Sequence, residues 1–306
     1  MPPDGLEDGA AGGSPALAAL TRRQFVGGVL VAAAGATVGR ADEAPRWQIG
    51  CYTRPWADFD YRVALDGIAA AGFRYAGLMT AKTGTIVTPD TTPEQAAAMG
   101  VEAKSRGLGI ASLWGGNFMP KKSLPDGIAR LKRLIDNAAA CGCTGVLLGG
   151  AGNPDLVEDY YKAVAECCDY AAGKGVGLSV KPHGGSNSTG RQCRLLIEKV
   201  GHRNFGLWYD PGNIFYYSDG KIDPVDDAAT VDGLVVGMSV KDFRPPKDVS
   251  LTPGRGKVNF PKVFARLQRG GFTRGPLIVE CLDPGDAVHL TAEARKARQF
   301  LEELTR

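Results

Sequence analysis

The sequence predicts a single α/β domain, a (β/α)8 barrel, and three observations carry that expectation. Short apolar runs alternate with helix-like stretches eight times between residues 47 and 304. The runs are apolar nearly throughout, the pattern of strands covered on both faces, where an exposed sheet would alternate. Four of the later runs end in chemically useful groups: Lys181 and His183, Asp210, Ser239 through Asp242, and Glu280. Parallel strands in a barrel gather such ends into one pocket.

Taken in order, WQIGCY (47–52) precedes a helix near 60–71, and FRYAGLM (73–79) one near 93–106. LGIASLW (108–114) leads to a helix near 123–140, and TGVLLGG (144–150) to one near 154–173. VGLSVK (176–181) is followed by a helix near 190–200, and FGLWYD (205–210) by a short one near 223–230. LVVGMSV (234–240) and PLIVE (276–280) complete the count, with helices near 260–269 and 292–304. Gly72 and Gly142 close Ala-rich stretches where a left-handed residue can end a helix. Gly107, Gly175 and Gly275 stand just before strands and supply tight turns. Short turns into the strands and longer loops out of them favour a closed barrel over a doubly wound open sheet.

The 306 residues exceed the usual size of one domain, but barrels of about 250 residues commonly stand as one unit. With 44% hydrophobic and 23% charged residues, the composition is that of an ordinary soluble protein. A net charge of +3 is too small and too evenly spread to argue for a nucleic-acid partner.

The N-terminus reads as an address. Thr21-Arg22-Arg23-Gln24-Phe25 runs into VGGVLVAAAGATV and then Gly39-Arg40-Ala41, whose small residues suit signal peptidase. The apolar run is too short and too weakly hydrophobic to span a bilayer. The segment resembles a twin-arginine export signal, which is read by a translocase that carries folded proteins. Residues 1–41 are therefore expected to be a signal peptide and 42–306 the barrel, exported to the periplasm or beyond. No membrane span is expected after cleavage. Seven cysteines would permit disulfides there, yet the count is odd and no metal-site spacing appears, so most read as small buried apolar residues.

The chemistry-bearing segments are Val180-Lys181-Pro182-His183, Asp210-Pro211-Gly212-Asn213, Ser239-Val240-Lys241-Asp242, Gly254-Arg255-Gly256 and Val279-Glu280. In order and spacing they resemble the xylose isomerase-like TIM barrel family, the broad group of sugar phosphate isomerase/epimerase type, over roughly residues 47–305. The resemblance implies a Glu, an Asp, a His and a Glu at four strand ends holding one divalent ion, Mn, Mg, Co or Zn. That ion would bind neighbouring sugar oxygens while the two Glu residues move a proton. Here Asp210 and Glu280 are kept, but Lys181 stands at the first Glu position and Ser239 at the His position. An ammonium has no lone pair and repels a cation, and a hydroxyl is a weak ligand. Either Lys181 supplies the positive charge itself and the barrel is metal-free, or Asp210, Glu280 and His183 hold a displaced ion.

The expected catalytic groups are thus Lys181, His183, Asp210 and Glu280, with Glu280 as base or ligand, Asp210 as ligand or anchor, His183 as acid/base and Lys181 as stabiliser of an enolate oxygen. Trp114 with Asn117 suits the apolar face and hydroxyls of a sugar. Asn213, Lys241 and Arg255 complete the substrate contacts, Arg255 for a carboxylate or oxidised sugar. His202 and His289 read as surface residues. The function this implies is isomerisation or epimerisation of an unphosphorylated sugar or sugar derivative. The rivals are a lyase or hydrolase acting through Lys181 on an oxidised glycoside, and a non-catalytic sugar-binding barrel.

Overall fold

In the computed structural model, residues 46–116, 118–119 and 123–306 are described; Asn117 and the export signal expected within 1–41 lie outside them. The chain runs β1 (Trp47–Tyr52), α1 (Tyr61–Ala70), β2 (Tyr75–Leu78), β3 (Thr80–Ala81), β4 (Gly84–Thr85), α2 (Pro93–Ser105), β5 (Gly109–Trp114) and α3 (Leu124–Ala140). It continues with β6 (Gly145–Leu148), α4 (Val157–Gly173), β7 (Gly177–Val180), α5 (Gly190–Val200), β8 (Phe205–Tyr209) and α6 (Pro211–Tyr217). The last elements are α7 (Pro224–Ala228), β9 (Val235–Val240), α8 (Phe260–Arg269), β10 (Gly275–Val279) and α9 (Ala287–Leu304).

Eight strands close into a parallel barrel in the order β1-β10-β9-β8-β7-β6-β5-β2. β3 and β4 form a small antiparallel hairpin outside it. The eight expected strands are all present, and the helices lie between them. Helix ends follow local chemistry: Thr92 with Gln95 and Thr189 with Gln192 form capping boxes at α2 and α5. Gly72 and Gly142 take positive φ, +89° and +74°, just past the ends of α1 and α3.

Three differences from the expected pattern have local causes. α6 begins directly at Pro211, because the Asp210 side chain accepts from Asn213 N at 2.9 Å and caps it. α9 starts at Ala287, five residues earlier than expected, with Asp286 accepting from His289 N. The hairpin at Thr80–Thr85 is too short to carry a pattern of its own.

The barrel interior is plugged by Tyr52, Met79, Ala111, Leu147, Trp208 and Ile278. Two large rings fit because glycines face them. A Cβ on Gly77 would sit 2.2 Å from the Tyr52 ring, and one on Gly237 2.4 Å from the Trp208 ring. The outer layer buries the apolar faces of the helices against the strands, including Leu131, Leu134, Val164, Val263, Phe264 and Leu301. All seven cysteines are buried and unpaired, as small core residues should be. His202 and His289 lie outside the core and pair with Asp169 and Asp283. No helix among the described residues is long and apolar enough to cross a membrane.

Candidate active site

The strand ends at the C-terminal face converge on a cavity of about 250 Å³. It is lined by Trp114 at the end of β5, Lys181 and His183 after β7, Asn213, Tyr216 and Tyr217 on α6, Lys241 after β9 and Glu280 after β10. Arg54, on the single 3-10 turn after β1, completes the ring with Thr80 and Val249.

Its floor is an ion cluster closed to water. Lys181 is 1% exposed, Asp210 0% and Glu280 2%, so these charges survive only because they meet each other. Lys181 Nζ donates to Asp210 Oδ2 at 2.9 Å and to Glu280 Oε2 at 2.6 Å. Lys241 Nζ donates to Glu280 Oε1 at 2.8 Å and to Asn213 Oδ1 at 2.9 Å, and lies 3.8 Å from Asp210 Oδ2. Ser239 Oγ donates to Glu280 Oε2 at 2.6 Å while accepting from Trp208 Nε1 at 3.0 Å. Asp210 spends its other oxygen on the start of α6, and Asn213 Nδ2 donates to Pro182 O at 2.7 Å. The cluster is therefore tied to β7, β8, β9 and β10 at once.

Charge explains how each group is held. Burial alone would raise the Glu280 carboxyl, but Lys181, Lys241 and Arg54 overturn that and hold it well below the ordinary carboxylate range. Burial would discharge Lys241, yet Glu280 and Asp210 raise it, so the ammonium is kept. His183 stands at the rim, its ring 5.3 Å from that of Trp114 and 5.9 Å from that of Tyr217. Loss of bulk water around the ring, and then the Lys181 charge, push it down from 6.5 to about 4. It is a neutral imidazole at neutral pH.

The side chains present do not fit the displaced ion left open by the sequence on Asp210, Glu280 and His183. Among the described residues, no group of three or more His, Cys, Asp and Glu side chains is placed to hold a metal. Lys181 Nζ sits between the two carboxylates, and His183 makes no contact with either. A donor set with two ammonium groups at its centre does not fit a divalent cation. Glu280 accepts from Lys181, Ser239 and Lys241, and a carboxylate so held and kept strongly acidic is a poor proton acceptor, which counts against the role of base expected for it. Ser239, read as a weakened ligand, is instead a hydrogen-bond relay that fixes Glu280.

Other sequence expectations sort by position. Trp114, Asn213 and Lys241 line the cavity as expected. Arg255 does not: it is exposed on the loop after β9, and the guanidinium at the cavity belongs to Arg54. Arg54, Tyr216 and Tyr217 were not expected. Arg54 lies two residues past the first apolar run, but the run at 144–150 ends in no cavity residue, so position alone does not single it out.

The sequence from residue 65 to 304 matches the family described as the xylose isomerase-like TIM barrel. The chain belongs to that family. No functionally curated protein matches it. Among solved structures, a xylose isomerase domain protein from Planctomyces limnophilus superposes with a TM-score of 0.66 at 22% identity, covering 85% of this chain and 98% of that one. The D-psicose 3-epimerase of Clostridium cellulolyticum H10, solved with D-tagatose, gives 0.68 at 14% identity over 85% and 99%. A D-allulose 3-epimerase from Methylomonas sp. in complex with D-allulose gives 0.64 at 18% over 84% and 97%. At these identities the likeness establishes a shared barrel.

Proposed function

We propose that this xylose isomerase-like barrel is an enzyme that moves a proton at the carbon beside the carbonyl of an unphosphorylated sugar or sugar derivative, with fixed ammonium groups where a cation would be expected. The observation that carries the reading is Lys181 Nζ bridging Asp210 and Glu280, with Lys241 beside it. Each ammonium has three N–H donors, of which Lys181 and Lys241 each spend two on the protein at hydrogen-bond distance. One donor on each remains for the oxygen on which negative charge develops as the C–H proton leaves. Such preorganised charge in a buried site stabilises an enolate strongly. Neutral His183 on the cavity wall is the group free to accept the proton, and Trp114 offers the sugar an apolar face. A Schiff base at Lys181 would have to break both of its ion pairs, which disfavours that route.

The test is C–H exchange in deuterated water, followed by proton NMR over a panel of aldoses, ketoses and oxidised sugars. Exchange is expected, unaffected by a chelator, and lost in His183→Asn. Its dependence on chelator, with recovery on added Mn, would overturn the metal-free reading; a Lys181→Met variant with full exchange would remove Lys181 from the chemistry. Export belongs to the same proposal, supported by Arg22-Arg23 ahead of the apolar run. Arg22→Lys/Arg23→Lys is expected to retain the protein inside the cell, read by fractionation.

A further inference from the structure

We infer that the sugar carries a carboxylate, and that Arg54 is the residue that seats it; the inference rests on the reading of the cavity as a sugar site. The charges around the cavity do not balance. Lys181, Lys241 and Arg54 are cationic, Asp210 and Glu280 anionic, and His183 neutral, which leaves one positive charge in surplus. The surplus falls on Arg54. Glu280 Oε2 already accepts from Lys181 and Ser239 and Oε1 from Lys241, and the Arg54 guanidinium stands 3.6 Å from Oε1, beyond hydrogen-bond reach. The guanidinium donates from Nη1 to Cys281 Sγ, a weak acceptor, and has no other side-chain acceptor among the described residues. Most of its five N–H groups remain for a ligand.

Its position points the same way. A second cavity of about 260 Å³, lined by Pro55, Ser250, Cys281, Leu282 and Pro284, shares Arg54, Thr80 and Glu280 with the first. Arg54 stands on the wall between them, its side chain 37% accessible. A sugar ring over Lys181 and Lys241 would extend its far end toward this guanidinium. A planar fork of donors matches a carboxylate two bonds at a time. A lone arginine offers no cradle of backbone N–H groups of the kind phosphate prefers. The substrate class is a uronate or related sugar acid.

The experiment compares D-glucuronate, D-glucose and D-glucose 6-phosphate by calorimetric titration and by C–H exchange, on the full-length protein, Arg54→Gln and Arg54→Lys. Glucuronate is expected to bind wild type at least about tenfold more tightly than glucose. The ratio should fall to about one in Arg54→Gln and recover in part in Arg54→Lys, with circular dichroism and urea midpoints certifying the fold of both variants. Equal binding of glucuronate and glucose, a ratio that survives Arg54→Gln, tighter binding of the phosphate, or no glucuronate binding at millimolar concentration would each overturn the inference. Arg54-dependent glucuronate binding without exchange would remove the proton-transfer reading and leave the inference standing. Exchange on glucose with no preference for the acid would do the reverse.

Discussion

At the scale of single residues, Lys181 holds the buried cluster together. Its ammonium separates two carboxylates that are closed to water, and removing one partner of a buried ion pair strands the others. Lys181→Met is expected to cost about 3–5 kcal/mol, measured by urea unfolding. Adding Asp210→Asn should recover more than half of the loss, since asparagine still caps α6 while taking away one stranded charge. A Lys181→Met protein within about 0.5 kcal/mol of wild type would show that the cluster is not held by its charges. The pH dependence of exchange tests His183 separately. The acid limb of kcat/KM reports the free base, so its midpoint is expected well below 6.5, toward about 4, activity falling as the imidazole is protonated. A midpoint at 6.5 or above would point to another base. Lys181, Asp210 and Glu280 were legible in the sequence because each directly follows an apolar strand, where the barrel leaves a side chain nowhere to go but the pocket. Arg54 was not, because nothing in a lone Arg-Pro after a strand distinguishes a cavity cation from a surface one. The basicity of Glu280 is not legible in the sequence because it depends on Lys181, Lys241 and Arg54, which lie 39 to 226 residues away in the chain.

At the scale of elements, one side chain ties both ends of the loop from Phe243 to Val258, beside the main-chain bond from Lys257 N to Phe243 O. Asp242 accepts from Phe243 N at 2.8 Å, Gly254 N at 2.9 Å, Gly256 N at 2.7 Å and Val258 N at 3.0 Å. The fold of the loop then stacks Phe243 on Phe215 of α6, ring centroids 5.4 Å apart, and sets Val249 on the cavity wall. A Cβ on Gly256 would come 2.3 Å from Asp242 Oδ1 and 2.5 Å from Phe243 O, so the loop tolerates no side chain there. Gly256→Ala and Asp242→Asn are each expected to cost about 2 kcal/mol, through strain in the first and orphaned N–H groups in the second. Both should open the loop to trypsin at Lys247, Arg255 or Lys257, read as new fragments in limited proteolysis. Unchanged protection in both variants would show that Asp242 does not organise the loop. Gly254-Arg255-Gly256 was visible as a motif, but its work was assigned to Arg255 when the glycines carry it. The side chain between them faces solvent. α6 went unseen for a related reason: Asp-Pro-Gly reads as a turn by composition, and only the Asp210 cap shows that the Pro is the first residue of a helix.

At the scale of the whole molecule, buried Asp227 and His183 at the cavity rim pull stability in opposite directions as pH falls. Asp227 has both oxygens 3.0 Å from Gly190 N at the start of α5, with Tyr209 Oη 3.2 Å away. Burial nevertheless raises it from 3.8 to about 6, with those hydrogen bonds only partly opposing. Between pH 6 and 3.8 the folded protein thus holds a proton on Asp227 that the unfolded chain does not, and stability rises on acidification. His183 does the reverse. Between 6.5 and about 4 the unfolded chain is protonated and the folded imidazole is not, so stability falls on acidification. A full unit of difference is about 1.4 kcal/mol; Asp227 contributes about that between pH 7 and 5. His183 contributes about 1 kcal/mol, because its ring reaches solvent at the rim and the Lys181 charge is screened there. The wild-type protein should therefore change by less than about 1 kcal/mol over this window, with the two effects nearly cancelling. Asp227→Asn removes the gain and should leave a protein that loses about 1 kcal/mol from pH 7 to 5; His183→Asn removes the loss and should leave one that gains about as much. Below pH 4.5 all three should weaken together, since Glu280 stays ionised in the folded state well past the point where the unfolded chain takes up a proton. Urea midpoints at pH 7, 6 and 5 measure the slopes. Parallel lines for the three proteins would mean that neither group is shifted by the fold, and an inverted order would mean that the burial of Asp227 and the electropositive rim at His183 have been assigned the wrong way round.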